Sequence, residues 1–140
     1  MREARTSMAV MGMLLVGACG GSTSSQAITL TPTVGTSSVM ECLAQEAQKL
    51  GYKITLLDRA GSMTAERRDD KPDINHPREY AGGDLITVSR LKKQGDAQPL
   101  SVKPTSFVME WLANGANQKQ VETSQAVLGD AKALEERCRL

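Results

Sequence analysis

Apolar residues recur along this chain at two periods, and the switches between them mark its elements. Val39, Leu43, Ala47 and Leu50 step at helical spacing, widened by Met40 and Ala44, while Gln45, Gln48 and Lys49 take the opposite face. Ser38 followed by Glu41 has the form of a capping box, and Gly51 stands where a helix commonly ends in the left-handed conformation. Beyond Gly51 the period becomes alternating. Tyr52, Ile54 and Leu56 point one way and Lys53 and Thr55 the other, the pattern of a half-buried strand. Asp58, Arg59, Ala60 and Gly61 supply a turn, and residues 63–68 read as a returning strand. Residues 69–83 hold Pro72, Pro77, Gly82 and Gly83 among charges and are expected to be a surface loop or a connection at the sheet edge. Residues 84–91 resume strand character, with Ile86 and Val88 on one side and Leu85, Thr87 and Ser89 on the other.

The segment 100–112 is apolar and interrupted by Pro104, which predicts a bulge or an edge position there because proline has no N–H to donate. Phe107, Met109 and Trp111 share strand parity and read as a core stripe, and Asn114-Gly115 ends the segment. A last helix is expected over 118–138, where Val121, Ser124, Leu128, Ala131, Leu134 and Cys138 step by three or four. The fold expected is α+β and two-layered: a helix, a four-stranded antiparallel meander and a helix, with both helices on one sheet face. The uncovered face would carry Lys53, Thr55, Thr64, Glu66, Thr87 and Ser89, polar but bearing Leu57, Leu85 and Leu91, and is the expected partner-facing surface.

Composition narrows the partners. The 140 residues carry 17 Lys and Arg against 16 Asp and Glu, so no field for nucleic acid arises. Tyr52, Tyr80, Phe107 and Trp111 are the whole aromatic set, which leaves the core to Leu, Ile, Val, Met and Ala. At the N-terminus, Arg2 and Arg5 precede an apolar run from about Met8 to Val16 that is too short to span a bilayer, the arrangement of an export signal. Val16, Gly17, Ala18 and Cys19 close that run. This leader resembles that of the bacterial lipoprotein precursor class, whose lipobox these residues match. The resemblance implies cleavage between Ala18 and Cys19, lipidation of Cys19 by diacylglycerol and acyl groups such as palmitate, and anchoring in a membrane of the cell envelope. Gly20, where an Asp would imply retention at the inner membrane, implies the periplasmic face of the outer membrane. Residues 1–18 are thus an expected signal peptide, 19–35 a Gly/Ser/Thr tether, and 36–140 a single domain.

With Cys19 assigned to lipid, Cys42 and Cys138 remain, and an even remainder in an oxidising compartment reads as one disulfide. Two free thiols, or a reactive or metal-binding pair, are the alternatives. A disulfide closing so long a loop removes unfolded-state entropy worth about 4–5 kcal/mol. It would require the two α-carbons to meet within about 7 Å, with the helices antiparallel and adjacent.

Catalytic chemistry is thin. His76 is the sole histidine, and no nucleophile motif accompanies it. Asp69, Asp70, Asp73, Asn75 and His76 offer metal ligands within one loop but match no EF-hand spacing, so no metal or other cofactor is expected. No phosphate-cradling or nucleophile-elbow motif occurs. These readings point to a lipid-anchored binding or assembly subunit with an envelope protein as partner. The alternative is a small envelope enzyme, or a metal-binding domain that uses the 69–76 loop.

Overall fold

The computed structural model describes residues 27–68 and 79–139. It is α+β, with an antiparallel sheet of six strands and two helices. In chain order these are β1 (Ile28–Leu30), α1 (Thr36–Lys49), β2 (Lys53–Asp58), β3 (Ser62–Arg68), β4 (Glu79–Arg90), β5 (Leu100–Leu112), β6 (Gly115–Val121) and α2 (Gln125–Cys138). The sheet runs β1-β5-β4-β3-β2, and β6 also pairs with β5. Both flank the same side of β5: β1 along Leu100 to Val102, and β6 from Ser106 onward.

Two strands exceed the expected four. β1 lies within the stretch expected to be a tether, and it is held there because Leu30 is buried in the core while Ile28 packs against it. β6 occupies the start of the expected second helix. The step of three from Val121 to Ser124 imitates helical phase, but Ser124 is the cap: its hydroxyl accepts from the Val127 N–H at 3.2 Å, and α2 begins after it. Residues 115–121 instead fold back on β5 through the turn at Asn114-Gly115, with Leu112 opposite Gly115. β4 also begins earlier than expected, at Glu79. The Gly82-Gly83 pair does not end it, although the pairing with β5 shifts register between Tyr80 and Gly83. A Cβ on Gly83 would lie 2.7 Å from the Phe107 ring and 2.6 Å from the Arg67 carbonyl, so glycine permits the close approach of three strands there.

Pro104 is opposite Ile86 on β4, and its other side falls in the gap between the end of β1 and the start of β6. The missing N–H is therefore tolerated at a locally unpaired edge, as the sequence implied. Phe107 is buried, as expected, but not on the main stripe. The buried stripe of β5 runs through Leu100, Val102, Pro104 and Ser106, and Phe107 has the opposite parity, its ring over Gly83.

One core cluster draws Val39, Met40, Leu43, Ala44 and Ala47 from α1 and Val127, Ala131, Leu134 and Cys138 from α2. It joins them to Met63 and Ala65 of β3, Ile86 and Val88 of β4, and Leu100 and Val102 of β5, all at alternate strand positions. The helix starts differ from the sequence reading. α1 begins at Thr36 behind Gly35 with no side-chain cap, so Ser38 lies inside the first turn and the expected capping box does not form. Its end is as expected: Gly51 takes φ +92°, its N–H donates to the Gln48 carbonyl, and that of Tyr52 donates to the Ala47 carbonyl. These two bonds make a Schellman motif, with buried Tyr52 and Ala47 as its apolar contact.

Cys42 and Cys138 form a disulfide, with α-carbons 5.7 Å apart across 96 positions of sequence. One turn along α1, Glu46 accepts from Arg137 at 3.2 Å. Farther along, Tyr52 meets Asp130, so increasing position in α1 matches decreasing position in α2 and the helices run antiparallel. Replacing both cysteines by serine is expected to lower the free energy of unfolding by about 2–5 kcal/mol. Urea denaturation of the oxidised protein and the double variant measures this, and an unchanged midpoint would contradict it.

Candidate functional site

Two polar groupings stand out, one partly buried on the core side of the sheet and one on its other side. The inner one begins with phase. On β3, Arg67 continues the inward positions Met63 and Ala65, and on β4, Asp84 precedes the inward positions Ile86 and Val88. On α2, Asp130 lies between Val127 and Leu134 on the buried side. Three charged side chains thus extend three apolar stripes, and they converge.

Arg67 is the hub. One terminal nitrogen lies 3.0 Å from both Asp84 Oδ2 and Asp130 Oδ2, and the other donates to the Leu50 carbonyl at 3.0 Å. Its guanidinium carbon stands 4.5 Å from the centroid of the Tyr52 ring. The Tyr52 hydroxyl donates to Asp130 Oδ2 at 2.8 Å. The second oxygen of Asp84 accepts from the Ser106 and Ser124 hydroxyls at 2.8 and 3.0 Å, and the Ser124 N–H donates to the Ser106 hydroxyl at 2.9 Å. Ser124 is the α2 cap, so one carboxylate ties the start of α2 to β3 and β5. The Leu50 carbonyl terminates α1, where a cation is favoured by the helix dipole.

The electrostatics follow the geometry. Burial, and then the bond to Asp130, push the Tyr52 phenol well above its ordinary range, so it stays a donor. The bond to Asp84 and the charges around it hold the Arg67 guanidinium charged, against the desolvation of its partly buried position. Among the described residues no buried side-chain nitrogen or oxygen lacks a partner. The cluster is therefore internally satisfied and acts as a strut.

The outer surface is the other side of the sheet. Lys53 is opposite Glu66, Glu66 opposite Leu85, Thr64 opposite Thr87, and Ser89 opposite Ser101, which brings five of the six expected partner-facing residues onto adjoining strands of one face. Thr55, the sixth, is the extra residue of a β-bulge between Ile54 and Leu56, and its hydroxyl donates to the Thr64 carbonyl at 3.2 Å. The bulge corrects the expected alternation. Leu56 pairs with Thr64 and joins the polar face, whereas Leu57 pairs with Met63 and lies on the side of the core. Gln118, Gln120, Thr105 and Phe107 border a shallow depression of about 270 Å³ farther along this face, beside Leu85. A larger groove of about 500 Å³ is lined by Gly51, Lys53, Thr55, Glu66, Arg67 and Arg68.

The lipidation and cleavage residues Ala18 and Cys19 lie outside the described residues, as do Asp69, Asp70, Asp73, Asn75 and His76. Among the described residues, no group of His, Cys, Asp or Glu is arranged to hold a metal ion, and no helix is long and apolar enough to cross a membrane. The sequence reading missed the Arg67 cluster, although inward-phase charges on three elements signalled it. Neither a protein-family model nor a curated protein sequence matches this chain.

Arg67→Met strands two partly buried carboxylates side by side and is expected to lower stability by about 2–3 kcal/mol, with part recovered when Asp84→Asn and Asp130→Asn are added. Urea denaturation of the parent, the single variant and the combined variant reads this, and equal losses in the two variants would refute the cluster as a unit. Tyr52 adds a pH dependence. Its folded pKa is raised, so its contribution is fully present below the unfolded tyrosine pKa of about 10 and is lost as pH rises beyond it. Thermal midpoints between pH 8 and 11 are expected to fall more steeply above pH 10 for the parent than for Tyr52→Phe. Parallel profiles would contradict this.

Proposed function

We propose that this chain is a lipid-anchored subunit of the bacterial cell envelope that binds a protein partner through the uncovered face of its sheet. In this reading the export signal is removed before Cys19, the acylated cysteine holds the chain at the periplasmic side of the outer membrane, and the domain is two-layered with both helices over one sheet face. The observation that carries the binding role is the composition of the opposite face. Lys53, Thr64, Glu66, Thr87 and Ser89 are arrayed on adjoining strands, with Leu56 51 % exposed among them and Leu85 half-buried. Hydroxyl and charged groups around isolated leucines suit a hydrogen-bonding protein surface, with apolar anchors inside a polar rim. Electrostatics support a protein over a nucleic acid, since Lys53 faces Glu66 across the strands and the two charges offset each other on this face.

The polar groups with the strongest mutual contacts support a binding role over a catalytic one. Arg67, Asp84, Asp130 and Tyr52 spend their hydrogen bonds on one another and on the ends of the two helices. The disulfide between Cys42 and Cys138 suits an oxidising compartment.

A photo-crosslinking amino acid introduced at Thr87 of the full chain in living cells is expected to yield a discrete adduct with an envelope protein, and the same group at the exposed Lys132 on α2 to yield none. Leu85→Asp is expected to remove the Thr87 adduct. Equal adducts at both positions, or none at Thr87, would overturn the docking assignment.

A further inference from the structure

We infer that the free edge of β2 is a two-fold contact at which this chain pairs with a second copy of itself. β2 ends the sheet: its one strand partner is β3, and among the described residues nothing pairs its outer side. Native proteins usually guard such an edge with charge, a bulge or a cover. This edge has charges and a bulge, yet it also carries two of the exposed large apolar side chains, Leu56 at 51 % and Leu57 at 41 %.

The bulge decides which pairing the edge can make. A regular strand that pairs antiparallel with its own copy, about a two-fold axis perpendicular to the sheet, must place residues of like parity opposite each other, because opposed side chains share a face. The extra residue Thr55 changes that rule. Ile54 pairs with Ala65 and Leu57 with Met63, so both lie on the side of the buried Met63 and Ala65 despite their unlike parity. Lys53 pairs with Glu66 and Asp58 with Ser62, so both lie on the opposite face. Centring the two-fold between Thr55 and Leu56 therefore sets Ile54 against Leu57 of the second copy on one face. On the other face it sets Lys53 against Asp58, and each contact occurs twice.

The chemistry at these positions is self-complementary. A cation and an anion stand at the two ends of a six-residue strand, so antiparallel copies set opposite charges against each other. Lys53 makes no ion pair among the described residues. Asp58 accepts from the Ala60 N–H through one oxygen at 2.9 Å, which leaves the other for a partner. Ile54 and Leu57 also line a groove of about 320 Å³ between β2 and α1, bordered by Ala44, Gln45 and Gln48, that receives the apolar side chains of the second strand. The ion pair of Arg59 with Glu41 at 3.4 Å flanks this groove. This contact is separate from the sheet face assigned to a protein partner and does not rest on that assignment.

The test is the mass of the full chain, solubilised from membranes and measured by sedimentation equilibrium in density-matched detergent. The parent is expected to be a dimer in reversible equilibrium. Lys53→Asp and Asp58→Lys each place like charges opposite one another twice and are expected to weaken the dimer by roughly tenfold, and Lys53→Asp combined with Asp58→Lys to restore it. Lys53→Asp also sets an acid against Glu66 within the chain, but the combined variant retains that change, so its recovery separates the contact from a folding defect. Leu57→Lys is expected to give monomer with an unaltered circular dichroism spectrum. A monomeric parent, or charge reversals without effect and without mutual rescue, would overturn the inference.

Discussion

One guanidinium ties both helices to this sheet. Arg67 occupies an inward position of β3, where an unpaired charge would be strongly disfavoured, and its cost is offset by four surrounding groups from separate parts of the chain. The Leu50 carbonyl brings the end of α1 to it, Asp130 brings α2, Asp84 brings β4, and the Tyr52 ring closes one side. Through Asp84 the same cluster reaches Ser124, which starts α2. Apolar burial is non-directional and sets only that both helices contribute to the core cluster. The hydrogen bonds of Arg67 are directional and help to set where along the sheet they sit.

A second fastening lies about 12 Å away along both helices. From Cys42 to Leu50 on α1, and from Asp130 to Cys138 on α2, the chain advances eight residues, about 12 Å of helix rise in each case. Covalent bond and polar cluster therefore hold the same antiparallel register from its two ends. The division suits a small domain with few aromatics, in which most core side chains are aliphatic and fix position weakly. Removing either fastening leaves the other to keep the register, so the expected response is lost stability with the topology retained.

Much of this was legible in the sequence, and the exceptions have physical causes. The inward pair Ile86 and Val88, the helical stripe from Val39 to Ala47, the left-handed Gly51 and the meeting of Cys42 with Cys138 all follow from local periodicity or from cysteine parity. The bulge at Thr55 was not legible, because Lys53 to Leu56 alternate without a break and only the pairing with β3 reveals the extra residue. β6 was hidden because its run of Asn, Gln and Lys has no apolar alternation, while Val121 happens to continue the phase of α2. The Arg67 cluster joins residues up to 78 positions apart in sequence, as Tyr52 and Asp130 are, so no spacing motif encodes it. What did encode it was the departure of single charged residues from otherwise apolar phases, a signal that becomes informative only when the elements are set side by side.

Each of the three cysteines has its own role in this reading, Cys19 at the membrane and Cys42 with Cys138 in the fold. The disulfide is part of the structure, and the lipid anchor is the proposal that explains why the chain would meet an oxidising compartment at all. Peptide mass spectrometry of the protein isolated from bacterial membranes, alkylated before any reduction, addresses all three residues in one measurement. The expected result is an N-terminal peptide that begins at Cys19 and carries acyl mass, together with a linked pair of peptides containing Cys42 and Cys138. An unmodified or alkylated Cys19, or alkylation of Cys42 and Cys138 as separate thiols, would contradict it.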